Sequence, residues 1–156
     1  MTSMNRRDAL AVLIGLSGAL SFAFDTAAHS EEDRLAIKGY DPVAYFTEAK
    51  PMIGDPQYQY ELDGALYRFA STLHLDLFKA DPDRYLPQYQ NWCTAALSRG
   101  YRLVADPNNW VIHEGRLYVF GGPAGPGKFA ADPAVMVSNA DANYPRLPDL
   151  PKWPPQ

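Results

Sequence analysis

The chain has 156 residues, which suits one domain, and its 21% charged and 47% hydrophobic content is ordinary for a globular protein. A net charge of -4 without a basic stripe argues against a nucleic-acid partner. The single cysteine excludes an internal disulfide, and 10 tyrosines within an aromatic share of 13% point to a tyrosine-rich core or a tyrosine-lined groove.

Residues 1–28 read as a leader. Arg6-Arg7 precede an uncharged stretch, Ala9 to Phe24, which ends near small residues. The stretch falls short of the roughly 20 apolar residues that span a bilayer, so it predicts a cleaved signal and no stable membrane anchor. Asn5 to Leu10 is similar to twin-arginine leaders, which export folded proteins; the general secretory route is the alternative. Cleavage fits after Thr26-Ala27-Ala28 or after Ser21-Phe22-Ala23. The expected location is the periplasm.

His29 to Ile37 is a polar, acidic lead-in, and Asp41-Pro42 starts a short helix through Phe46. Lys50 to Pro56 is expected as a loop. Tyr58, Tyr60 and Leu62 alternate toward Asp63-Gly64, and Tyr67 and Phe69 return, which predicts a hairpin. Ser71 caps a helix with Leu73, Leu77 and Phe78 on one face, and Asp81-Pro82 ends it and restarts a turn. Asn91 is expected to cap a short helix carrying Trp92, Cys93, Ala96 and Leu97, closed by Gly100.

Asp106 to Asn109 reads as a turn, and a second hairpin, Trp110–His113 with Arg116–Phe120, folds around Glu114-Gly115. Gly121 to Gly127 is expected as a loop, and it lacks the Lys-Ser/Thr ending of a phosphate-binding loop. Asp132-Pro133 caps a last helix through about Asn143, and residues 144–156 form a proline-rich tail. No internal repeat is strong, although the two similar hairpins hint at duplication.

The ordered series KGYDPVAYF (Lys38 to Phe46), YRFAS (Tyr67 to Ser71), FKADPDRYLPQY (Phe78 to Tyr89) and then a cysteine helix resembles the YHS-domain family, most closely its exported single-module bacterial members. The resemblance covers Lys38 to Gly100, and more loosely to Phe120. It implies a YHS-like domain over residues 29–143 and names a module, not an activity.

Cys93, expected at the second position of a short helix, sits where unpaired N–H groups favour a thiolate. Against this stands a small buried hydrophobe beside Trp92. Metal-binding members of the wider family group use several cysteines together; here a site needs other donors, and His74 is the best of them, with copper or zinc as the ion. His113 at a hairpin tip, Met136 on a helix stripe and His29 at a mature N-terminus are lesser donors. The aromatic set Tyr40, Tyr45, Tyr58, Tyr60, Tyr67, Tyr85, Tyr89, Trp92 and Tyr101 forms either a pocket wall or a core. No acid–base dyad has usable spacing, and neither Ser71 nor Ser98 lies in a Gly-x-Ser-x-Gly frame.

The expectation is therefore an α+β domain of two antiparallel hairpins with about three short helices. It is read as a non-catalytic binding module for a metal ion or small ligand through Cys93. A thiol-redox protein and a structural or partner-binding domain are the alternatives.

Overall fold

The computed structural model describes residues 34–146. Arg6, Arg7 and His29, and the tail beyond Arg146, lie outside them. Within that range the chain is α+β, a small single domain with six helices and two two-stranded antiparallel sheets.

The order is α1 (Ala44–Thr47), β1 (Asp55–Leu62), β2 (Ala65–Phe69), α2 (Thr72–Ala80), α3 (Pro82–Tyr85), α4 (Thr94–Leu97), β3 (Asp106–His113), β4 (Arg116–Phe120), α5 (Ala124–Ala131) and α6 (Pro133–Asn143). Both hairpin turns place their central pair in the left-handed region, Asp63 with Gly64 and Glu114 with Gly115, as a two-residue turn between right-twisted strands requires. Ser71 Oγ accepts the His74 N–H at 3.2 Å, and Asp132 Oδ1 accepts the Val135 N–H at 3.1 Å, so α2 and α6 carry the expected caps. Gly100, at φ 79, closes α4 as expected.

The hairpins do not join into one sheet. The chain ahead of each hairpin occupies its second strand's edge through a single parallel bridge, Leu35 with Leu66 and Pro87 with Leu117. Those bridges belong to a wider repetition. Asp55-Pro56, Gly64, Leu66-Tyr67, Phe69, Phe78 and Asp81-Pro82 recur as Asp106-Pro107, Gly115, Leu117-Tyr118, Phe120, Phe129 and Asp132-Pro133, each as far apart in number as 106 is from 55.

Backbone contacts repeat with them. The Asp41 N–H donates to Met52 O at 2.8 Å and the Cys93 N–H to Leu103 O at 2.8 Å; Gly54 donates to Gly39 O and Ala105 to Asn91 O, both at 2.9 Å. Both first strands open with an Asx turn, Asp55 to Gln57 and Asp106 to Asn108, followed by a register shift. The Asp106 turn is thus both the expected turn and the start of β3. The hint of duplication in the hairpins extends to nearly the whole described chain.

Two apolar clusters form the interior. The first gathers Ile37, Val43, Tyr45, Tyr67, Phe69 and Phe78, with Leu117 and Val119 of β4. The second gathers Tyr89, Trp92, Cys93, Leu97 and Phe129, with Tyr118 and Phe120 of the same strand. Alternate side chains of β4 therefore feed opposite cores. Tyr45 ties the halves again, its hydroxyl donating to Pro107 O at 2.9 Å.

Two expectations are corrected. Gly121 to Gly127 is not all loop, since α5 begins at Ala124 and includes Gly125, Pro126 and Gly127. Pro126 stands third in that helix, where the N–H has no intrahelical partner to lose. Gly125 lets the helix press on β4: a Cβ there would lie 2.3 Å from the Phe120 Cβ. The tail expected from Tyr144 starts as a 3-10 turn, Tyr144–Arg146, with the Tyr144 hydroxyl donating to Gln90 Oε1 at 3.0 Å.

Gly125→Ala is expected to lower unfolding free energy by about 1–3 kcal/mol, the usual cost of overpacking a filled core. Urea denaturation measures it; an unchanged midpoint would show that α5 does not depend on this close approach.

Candidate functional site

In the first half the loop before α1 and the start of α2 meet at Asp41. Its buried carboxylate accepts the Val43 and Ala44 N–H groups at 2.8 and 3.3 Å through Oδ1, capping α1. Through Oδ2 it accepts the Ala70 N–H at 2.7 Å and meets His74 Nδ1 at 2.6 Å. His74 Nε2 lies 3.2 Å from Thr47 Oγ1 and 3.9 Å from Glu48 Oε1.

An Asp–His–hydroxyl series is the ordering used in nucleophilic catalysis. Here the Thr47 hydroxyl also reaches Val43 O four residues back, at 3.2 Å, the habitual bond of a helical threonine. With Asp41 spread over three backbone donors and one ring, the cluster serves as a clamp joining α1, β2 and α2.

The second half uses the same frame with different residues. Cys93 takes the place of Asp41 in the backbone pairing, and Gly125 stands where α2 carries His74. Counted from the first residue of each short helix, Ala95 and Ala96 of α4 stand where α1 carries Tyr45 and Phe46, and at the spacing of the repeat Ala124 stands opposite Leu73. The glycine and alanines carry less side-chain volume than their counterparts, and a pocket of about 300 Å³ lies beside Cys93. Phe120, Gly121, Leu103 and Tyr101 form its walls, with Arg99 and Lys128 as the charged residues of its lining. Tyr101 and Leu103, each nearly half exposed at 48% and 47%, leave unusual apolar surface at its mouth.

Cys93 is buried and is not the second residue of a helix; it is the N-cap residue of a helix four residues long and makes no side-chain cap bond. Asn91, expected as that cap, is displaced because Trp92 bridges to Val104 and the Cys93 N–H is taken by Leu103, which holds residues 91–93 out of the helix. The Asn91 amide and the Trp92 indole N–H are buried without a protein partner among the described residues.

The structure does not bring Cys93 and His74 together. They lie in different halves, Cys93 in the second cluster at the place that Asp41 takes in the first, and His74 against Asp41 itself, and His74 is absent from the Cys93 pocket lining. Among the described residues no three or more His, Cys, Asp or Glu are gathered as a metal could use them. Both His74 ring nitrogens already face partners, so the pair does not fit a copper or zinc site.

His113 packs its ring on Phe129 at 5.3 Å, and Met136 packs on the second cluster as core filling. Of the aromatic set, Tyr45, Tyr67, Tyr85, Tyr89 and Trp92 are core and only Tyr101 lines the Cys93 pocket. Sequence reasoning missed Asp41 as the clamp and Arg99, Lys128 and Gly125 as pocket residues. The signal available for them was the constant spacing between halves, which sets His74 opposite glycine.

Comparison with protein families, curated proteins and solved structures found no match to the chain. Among the described residues, no helix is long and apolar enough to cross a membrane.

Asp41→Asn replaces one acceptor oxygen by a donor facing Ala70 or His74. It is expected to cost about 2–4 kcal/mol in thermal or urea unfolding, as for a broken buried charged network. Thr47→Val should cost about 1 kcal/mol or less.

Burial pushes the phenols of Tyr45, Tyr67 and Tyr89 well above the ordinary tyrosine value; carboxylates add to this, Asp141 accepting from Tyr89 at 2.8 Å. A raised folded value means these groups contribute stability fully present below about pH 10, the unfolded value, and lost progressively above it. Of the 10 tyrosines, these 3 should ionise only as the chain unfolds, which spectrophotometric alkaline titration with circular dichroism measures.

Proposed function

We propose that the protein is an exported, YHS-like binding module that holds a small ligand in the Cys93 pocket without performing chemistry on it. The observation that carries this reading is the pocket itself: a volume near 300 Å³ opened by small residues in a frame whose other copy is filled. That size stands at the lower end of small-molecule sites, which are mostly apolar with a few polar groups.

Export rests on Arg6-Arg7 and the uncharged Ala9 to Phe24 stretch, and the family on the Lys38 to Gly100 motif series. A transition metal is the poorer occupant, since Cys93 has no companion donors among the described residues. Thiol-redox chemistry draws on the same placement of Cys93 but requires a partner thiol to reach it through the pocket.

The test is a ligand-observed NMR screen of fragments against the full-length chain. Hits should compete with one another and disappear in Ala95→Phe, which refills the pocket with an aromatic ring as Tyr45 fills the first half. Cys93, the only thiol, reports occupancy independently, because bound fragments should slow its alkylation by iodoacetamide. Hits that survive Ala95→Phe, and leave the alkylation rate unchanged, would remove the pocket as the binding site.

A further inference from the structure

The Cys93 pocket has a charge pattern at odds with the chain around it. The protein carries a net charge of -4, yet the charged residues lining this pocket are Arg99 and Lys128 and no acidic side chain is among them. At the spacing of the repeat Arg99 falls opposite Glu48 and Lys128 opposite Leu77 in the first half, so the repeated frame does not require cations there. Neither the Arg99 guanidinium nor the Lys128 ammonium has an ion-pair or hydrogen-bond partner among the described residues. Both are exposed, and no acidic side chain among the described residues answers their charge at the pocket.

Apolar walls and cations suit a ligand with two ends. Phe120, Leu103, Tyr101 and the alanines offer surface to a compact hydrophobic body, and Arg99 offers a planar fork that matches an oxyanion. We infer that the pocket takes a small hydrophobic organic acid, its apolar body beside Cys93 and its single anionic head group between Arg99 and Lys128. This rests on the reading of the pocket as the binding site and adds the chemical class of what enters it. The lining supplies no acceptor set for a cationic ligand, and it is too apolar for a free inorganic anion to gain from it.

The experiment compares phenylacetate with its neutral isostere phenylacetamide, by NMR titration of the isotopically labelled full-length chain. Both should move the amide signals of Cys93, Gly121 and Gly122. Phenylacetate should bind about three- to tenfold more tightly, the range expected for one head group meeting two exposed cations. The advantage should vanish in Arg99→Gln/Lys128→Gln and shrink in concentrated sodium chloride.

Equal binding of acid and amide, unmoved by the double substitution, would overturn the anion assignment and leave the pocket reading intact. Competition by inorganic phosphate at the concentration at which phenylacetate binds would overturn the apolar half. Binding seen only after removal of residues 147–156 would make the chain's own tail the occupant and overturn a free acid. If neither probe shifts the pocket amides in either form, the pocket reading and this assignment fall together.

Discussion

Strand β4 is buried on both of its faces, and this constraint organises the molecule. Leu117 and Val119 complete the first cluster, Tyr118 and Phe120 the second, so four consecutive residues supply both interiors. Burying each such side chain contributes about 1.5–3 kcal/mol, so neither half holds a finished core without the strand. Its hairpin partner β3 is only partly covered, apart from Pro107, because the cores lie on β4's side. Helix α5 then packs on β4 so closely that residue 125 has no room for a Cβ. The pocket wall at Phe120 and the helix bearing Lys128 are fixed by one contact.

One backbone frame is used twice and filled in two ways. In the first copy the space between the loop, the strand end and the helix start is occupied by Asp41, His74 and the large rings of Tyr45 and Phe46. Four hydrogen bonds converge on the Asp41 carboxylate, which answers the cost of burying it. In the second copy Cys93, Gly125 and two alanines remove both the charge and the volume. A site that carries no internal pairing is free to pair with something else. The polar clamp in the first copy supports the domain while the second is left open, a division a single copy could not make.

The placement of Cys93 and His74 follows from the same frame. A histidine at the start of α2 faces the residue that its own half supplies, and that residue is Asp41. His74 is buried, but the interior it faces is that of its own half and not the one that holds Cys93. The left-handed stretch at Ile37, Lys38 and Gly39 has the same local origin: it delivers the chain to Asp41, with Ile37 fully buried to offset a backbone that a β-branched residue rarely adopts.

By itself the sequence determined what is local. Asp63-Gly64 and Glu114-Gly115 specify tight turns, Ser71 and Asp132 specify caps, and Asp81-Pro82 and Gly100 specify where helices stop, because each acts through atoms within four residues. Only the tertiary structure decided that Gly121 to Gly127 contains a helix start, that Asn91 caps nothing, and that Cys93 and His74 lie apart. Those outcomes depend on contacts across the chain: Phe120 against Gly125, Leu103 against Cys93, Asp41 against His74. Propensity offers no account of such contacts, since their energy appears only once distant segments have met.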